Sequence, residues 1–210
     1  MNKNQKLFIS ISGLIGAGKT TLATALSKIM QVPVYYEGVI DNVYLKDFYQ
    51  DMSKYAFPLQ IYLLNKRFKQ HQEIIWRDEG GIQDRTIYED SIFAKVLMQQ
   101  NFMTKRNYET YQELFNNMSN FMRKPDLIVH LNVEPKVSLE RIKKRNRGCE
   151  TGVTLEYLTH LKREYDLFLK DISKIIPVIK IDWNEFQNST EVATKIKGVW
   201  QKMHTIKTLE

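Results

Sequence analysis

The chain has 210 residues, 43% hydrophobic and 26% charged, values that predict one globular domain, 1–210, with a full core. No apolar run approaches the roughly 20 residues of a membrane span, and the polar start, 1–6, predicts neither a secretory nor a transit leader. One cysteine, Cys149, excludes an internal disulfide and predicts a reducing, cytoplasmic setting. The excess of 31 Lys and Arg over 24 Asp and Glu leaves nucleic acid, an anionic membrane surface or small phosphorylated ligands as partners.

Apolar β-type runs alternate with longer helical patterns, which predicts an α/β fold: a five-stranded parallel sheet with helices on both faces. Strands are expected at 7–12, 32–36, 81–83, 125–131 and 176–181. Helices are expected over 43–76, 90–100, 107–123, 137–144, 155–170 and 190–204. Between the first strand and a helical run over 21–30 stands Gly13-Leu14-Ile15-Gly16-Ala17-Gly18-Lys19-Thr20, followed by Thr21. This strand, glycine-rich loop and helix order, with the full G-x-x-x-x-G-K-[ST] spacing, predicts a phosphate-binding P-loop. The curled backbone and the helix N-terminus present N–H groups to an anion, Lys19 adds a point charge, and Thr20 offers a hydroxyl to Mg²⁺.

In doubly wound sheets ligands sit at the C-terminal ends of the strands. Glu37 follows the second strand and Asp84-Arg85 follows the third, so all three are expected to border the P-loop cleft. A carboxylate there can take a proton from an attacking hydroxyl or hold Mg²⁺ water, and an arginine can neutralise charge developing in phosphoryl transfer. The cluster Arg141-Ile142-Lys143-Lys144-Arg145-Asn146-Arg147 has three readings: a solvated helix end, a nucleic-acid patch, or a lid that closes arginines on phosphates. The scarcity of interleaved aromatics argues against nucleic acid. A lid over about 141–152 is preferred, with Gly148 releasing the chain into a loop.

Together these residues resemble the deoxynucleoside kinases, P-loop enzymes that include deoxycytidine, deoxyguanosine and bacterial-type deoxyadenosine kinases. The ordered set carries the resemblance: Glu37, then Phe57-Pro58-Leu59-Gln60-Ile61-Tyr62, then Asp84-Arg85-Thr86-Ile87-Tyr88-Glu89-Asp90, then Pro125-Asp126-Leu127-Ile128, then Arg141-x-x-x-Arg145-x-Arg147. The resemblance implies a P-loop kinase fold with an arginine-rich lid. It implies ATP, or another nucleoside triphosphate, with Mg²⁺, a deoxynucleoside substrate and a homodimer. It further implies Glu37 as general base, Arg85 beside it, and Asp84 at Mg²⁺. Tyr49 and Glu150 would hold the sugar 3′-hydroxyl and Gln60 the base edge. Arg141, Arg145 and Arg147 would be the lid arginines, and Asp182 would border the donor adenine.

Gln60 and Arg67 are seven apart, two helical turns, and can face one pocket, across which Arg67 can meet Asp90. Such a pair suits a base that bears an exocyclic amine; a buried structural ion pair is the other reading. Phe57 and Phe93 are candidates for stacking on the base. Gly38 stands where the family more often has Pro after the base, and Cys149 where it has an acidic residue. His71, His130, His160 and His204 form no metal pattern, and His130 is expected in the core. Three competing functions remain: a thymidylate kinase, whose acidic-Pro-Gly-Gly loop is missing from Glu37-Gly38-Val39-Ile40; a non-catalytic nucleotide-binding regulator; and a polynucleotide kinase.

Overall fold

The computed structural model describes residues 7–38, 42–77, 79–150 and 152–205. The expectations for 1–6, for Val39 and Ile40, and for the side chains of Cys149 and His204 lie outside the described residues. Five strands form one parallel sheet: β1 (Phe8–Gly13), β2 (Val34–Tyr35), β3 (Gly81–Asp84), β4 (Leu127–Asn132) and β5 (Val178–Asp182), in the order β2-β3-β1-β4-β5. The described helices are α1 (Lys19–Met30), α2 (Leu45–Gln50), α3 (Met52–Trp76), α4 (Asp90–Gln99), α5 (Lys105–Ser119), α6 (Pro135–Arg145), α7 (Leu155–Ile172) and α8 (Ser189–Thr205).

β1 lies at the centre of the sheet, and its period-2 pattern explains why both faces are covered. Ile9 and Ile11 pack into one apolar cluster with Leu22 and Ala23 of α1 and Ala193 and Ile196 of α8. Burying each Ile or Leu side chain contributes about 1.5–3 kcal/mol. On the opposite face Phe8 meets His71 of α3 edge-on, ring centroids 4.8 Å apart. Ser10 donates to Thr86 at 3.4 Å, and Ser12 pairs with His130 Nδ1 at 3.1 Å. His130 is a core residue, as expected; burial, with Lys180 and Lys162 adding, pushes its pKa down to about 3, so the ring is neutral. The second apolar cluster, built from α3, α4, α5 and α7, lies beyond this face.

Two local expectations are corrected. The helical region expected over 43–76 is two helices, divided at Asp51, which leaves helical geometry at φ −144°. Its side chain accepts from the Lys54 N–H and so caps α3, the ordinary use of Asp at such a break. The basic helix expected over 137–144 is α6, and the chain leaves it at Asn146, in the left-handed region at φ 48°, rather than being released at Gly148. Asn tolerates that conformation because its short amide can bond locally.

The sheet order places the chemistry. Ile11 pairs with Asp84 across β1 and β3, and the Arg85 N–H donates to the Ile11 carbonyl at 3.0 Å. Thus the loop after β1, Glu37 after β2 and Asp84-Arg85 at the end of β3 all emerge at one sheet edge.

Candidate active site

A cavity of about 760 Å³ opens at this edge, between the P-loop, α3, α4, α6 and the segment that follows α6. The loop is closed tightly against α6. Gly16 sits at φ 78°, and a Cβ there would lie 2.8 Å from Ile142 Cγ1 and 3.1 Å from the Ser138 carbonyl oxygen. Only glycine fits that approach. Lys19, the first residue of α1, is buried and donates to the carbonyls of Leu14 at 3.0 Å and Gly13 at 3.3 Å.

Burial, and then the Arg85 guanidinium, push the Lys19 pKa down to about 8, although Asp84, Glu37 and Glu89 oppose the shift. The folded value lies below the unfolded 10.5, so the unfolded chain binds more protons across that window. Stability from this group therefore rises with pH between those values, and at neutral pH the ammonium costs stability unless an anion meets it. Lys19→Met is expected to raise the thermal midpoint of the nucleotide-free protein at pH 7 by a few degrees. The gain should vanish by about pH 10.5. A lower midpoint for the variant at pH 7 would contradict this.

The cavity's inner end holds a chain of alternating charges. Arg67 of α3 pairs with both Glu37 and Asp90, and Arg85 Nε lies 3.3 Å from Glu37 Oε1. Burial alone would raise the Glu37 pKa, but Arg85, Arg67 and Lys19 together outweigh it and hold the carboxyl at about 2. Asp90 is fully buried behind Arg67, and Gln60 lines the cavity beside it. Asp90 Oδ2 and Gln60 Oε1 are buried and have no hydrogen-bond partner among the described residues. An orphaned acceptor on the wall of a cavity that a P-loop also lines, with a second behind Arg67, fits donors carried by a ligand.

Thr20 donates to Asp84 Oδ2 at 2.6 Å, and Asp84 Oδ1 is buried without a partner among the described residues. Burial, with Glu37 adding, raises the Asp84 pKa against the pull of Lys19. A hydroxyl and a desolvated carboxylate with a spare oxygen, beside an anion-binding loop, are hard oxygen donors that suit Mg²⁺.

The segment after α6 brings Glu150 into the cavity through a 3-10 turn, Gly148–Glu150. Glu150 is buried and pairs with Arg145, and Arg147 stands 3.9 Å away. The turn is seated on α2. A Cβ on Gly152 would lie 2.8 Å from both Tyr49 Cβ and the Tyr49 carbonyl oxygen. Gly152→Ala is therefore expected to push Tyr49 off its wall and raise KM for the substrate that this cavity takes by about 10-fold, with kcat changed less. An unchanged KM would show that the contact does not set Tyr49.

Arg141 stands apart from the other two arginines. It donates to the carbonyls of Trp183 at 2.8 Å, Asn184 at 2.9 Å and Ala17 at 3.4 Å, and its guanidinium lies 4.0 Å from the Phe186 ring centroid. It thus ties the P-loop to the segment after β5, and Phe186 and Arg141 form one wall of the cavity mouth.

Most residues singled out in the sequence meet at this cavity. Gly16, Gly18, Thr21, Tyr49, Arg67 and Phe93 line it together with the charged groups just described. Gly13 and Ala17 sit behind the loop and contribute carbonyls, to Lys19 and Arg85 and to Arg141 respectively.

Besides Gly13 and Ala17, three candidates lie outside its lining: Asp90, fully buried behind Arg67, and Phe57 and Asp182. Phe57 is corrected: it lies with Pro58, Ile61, Tyr62 and Asn65 on a stripe of α3 that lines a separate groove of about 510 Å³. The cavity stripe is Leu59, Gln60, Leu63 and Arg67, displaced by two positions, about 200° around the helix. Asp182 is exposed, and its carboxylate accepts from Asn184 at 3.0 and 2.9 Å, shaping the turn that presents Trp183 and Phe186. Tyr157 and Phe48 line the cavity although sequence reasoning did not select them. Tyr157, on α7, and Phe48, on α2, looked like any other core aromatics.

A P-loop with Glu37 after β2, Asp84-Arg85 at the end of β3 and Arg67 of α3 beside them defines a phosphoryl-transfer site of the nucleotide kinase type. The family profile "Deoxynucleoside kinase" matches residues 9–205, and the chain belongs to the deoxynucleoside kinases, enzymes that phosphorylate deoxynucleosides. It is 60% identical over 195 residues to a deoxyadenosine kinase of Dictyostelium discoideum, covering 93% of this chain and 80% of that protein. It is 35% identical over 176 residues to the deoxyadenosine/deoxycytidine kinase of Bacillus subtilis (strain 168), covering 82% of this chain and 81% of that one. Among solved structures, deoxyadenosine kinase from M. mycoides with the products dCMP and a flexible dCDP bound superposes with a TM-score of 0.84 at 32% identity, covering 93% of this chain and all of that chain.

Proposed function

We propose that this enzyme transfers the γ-phosphoryl group of ATP, or of another nucleoside triphosphate, to the 5′-hydroxyl of deoxyadenosine, deoxyguanosine or deoxycytidine in preference to thymidine. The observation that carries the preference is the pair of orphaned acceptors, Gln60 Oε1 on the cavity wall and Asp90 Oδ2 buried behind Arg67. An exocyclic amine satisfies acceptors that a methyl-bearing base leaves unpaired, and unpaired buried groups carry the larger penalty. The names of the relatives, deoxyadenosine and deoxyadenosine/deoxycytidine kinase, support the same reading.

The base sits against Gln60, Arg67 and Asp90 and stacks by Phe93, while Tyr49 and Glu150 hold the sugar 3′-hydroxyl. This leaves the 5′-hydroxyl at Glu37, 3.3 Å from Arg85 Nε. Glu37 orients the hydroxyl and accepts its proton. With a pKa held at about 2 it is a weak base, which suits a loose transition state where the proton moves late. Gly13, Gly16, Ala17, Gly18 and Thr21 shape the cradle, and Lys19 neutralises the terminal phosphates. Thr20 and Asp84 would hold Mg²⁺, which supplies charge neutralisation on the phosphate oxygens. Arg145 and Arg147 turn from Glu150 to the phosphates, and Arg141 with Phe186 borders the donor base.

We read the chain as one kinase domain with a lid over about 141–152, acting in a cytoplasmic salvage setting. The apolar groove of Tyr44, Phe57, Ile61, Leu114 and Met118 between α3 and α5 supports a homodimer through these helices. The test is phosphorylation of deoxyadenosine, deoxyguanosine, deoxycytidine and thymidine side by side with ATP and Mg²⁺, with thymidine monophosphate as control. Strong turnover of the amine-bearing substrates and little of thymidine is expected. Turnover of the monophosphate alone would overturn the reading.

A further inference from the structure

Arg85 is held by contacts that its place beside Glu37 does not by itself require. It leaves β3 at φ 69°, the left-handed region, where a non-glycine residue is strained by about 1 kcal/mol or more. Its guanidinium is fully buried and uses every edge. Nε faces Glu37 at 3.3 Å, and one terminal nitrogen donates to the Gly13 carbonyl at 3.1 Å. The other terminal nitrogen donates to Glu89 Oε2 at 3.2 Å and to the Tyr165 hydroxyl. Tyr165 in turn donates to the same Glu89 oxygen at 2.5 Å. Glu89 Oε1 accepts from the Thr86 N–H at 3.3 Å, closing a capping box over the strained turn. Phe93 supports the guanidinium face 4.7 Å away, and Tyr165 meets Phe93 edge-on.

The tyrosine is the informative member. Glu89 and Arg85 form an i,i+4 pair and could satisfy each other as a two-pronged clasp. The Tyr165 hydroxyl stands between them and takes one carboxylate lone pair. Only one prong of the arginine is spent on Glu89, and Nε is left for Glu37. Tyr165 is buried on α7, which begins at Leu155, just beyond the lid segment.

We propose that Tyr165 and Glu89 are positioning residues for phosphoryl transfer: they hold Arg85 with Nε toward Glu37, and Tyr165 ties that geometry to the helix that follows the lid. The proposal rests on the reading of Arg85 as the group that neutralises charge beside Glu37. Tyr165→Phe keeps the ring and its packing but frees Glu89 for the clasp, which turns Nε away.

The test is a kinetic cycle on the full chain with deoxyadenosine, ATP and Mg²⁺, comparing Tyr165→Phe, Arg85→Lys and the double variant. Tyr165→Phe is expected to lower kcat by about 10- to 50-fold with both KM values within about 3-fold. Arg85→Lys is expected to lower kcat by about 100-fold or more, and the double variant to be no worse than Arg85→Lys within about 3-fold, since both act through one group. Glu89→Gln, of nearly the same shape, is a second route to the same kcat loss. Tyr165→Phe with kcat within about 2-fold of the parent, or losses that multiply in the double variant, overturns the positioning role while leaving Arg85 in place. A near-parental kcat in Arg85→Lys instead overturns the reading of Arg85, and the proposal with it.

Discussion

Glu37→Gln is expected to lower kcat by about 10³-fold while leaving both KM values within a few-fold of the parent. The amide keeps the side chain's shape and one acceptor for the arginines, so what is lost is the negative charge and the capacity to take a proton. Glu37 is bound on two sides, by Arg67 and by Arg85, and its carboxyl is held at about 2. That low value has a stability consequence whose sign can be checked separately. The folded value lies below the unfolded 4.5, so the carboxylate stabilises the fold above the unfolded value and the contribution is lost as pH falls toward 2. The midpoint difference between parent and Glu37→Gln should therefore be present at pH 7 and narrow below about pH 4.5. Steady-state kinetics and thermal melts on the same preparations separate the two effects. Near-parental turnover in a folded variant would remove Glu37 from the chemistry.

Arg67→Met is expected to be the most destabilising of the site substitutions, by about 3–5 kcal/mol, because it leaves the fully buried Asp90 charged and alone. Replacing both partners, Arg67→Met with Asp90→Met, should recover most of that loss, since a buried ion pair exchanged for apolar side chains is often neutral. Function should not recover with stability. The double variant offers no acceptor from Asp90 and no donors from Arg67, so kcat/KM for deoxyadenosine should fall by about 100-fold or more. Thymidine, with no exocyclic amine to satisfy, should lose much less. Thermal melts and the ratio of the two kcat/KM values measure this directly. Equal losses on both substrates would return the pair to a purely structural role.

The two substitutions share one cause. Arg67 is claimed at once by Glu37, on the cavity wall near the P-loop lysine, and by Asp90, buried behind it. A similar arrangement stands at the end of α6, where Arg145 pairs with Glu150. Side chains proposed to meet the base and the sugar are thus paired, in the protein alone, with those proposed to meet the reacting groups.

How much of this was legible in the sequence depended on whether the signal was local. The P-loop was readable because strand, glycines, Lys19 and helix lie within a short stretch, and the alternation of strands and helices predicted the parallel sheet. Gln60 and Arg67 were readable from helical spacing. The same spacing rule did not place Phe57, because an aromatic looks alike on either stripe of α3 and only packing decides which stripe faces the sheet edge. The break at Asp51 carried a signal, an Asp four residues ahead of Tyr55 at a helix start, that the apolar periodicity on both sides concealed. The Glu89–Tyr165 contact spans 76 residues and has no local signature at all. Arg141 belonged by sequence to the cluster with Arg145 and Arg147, but one further turn of helix separates it from them, and it is spent on three carbonyls.

The most direct test of the proposed site is a crystal structure of the protein with deoxyadenosine bound. The expected result is the 5′-oxygen within about 3 Å of the Glu37 carboxylate and the 6-amino group donating to Gln60 Oε1 or Asp90 Oδ2. A nucleoside seated with its base at the P-loop, or with its 5′-hydroxyl away from Glu37, would contradict it.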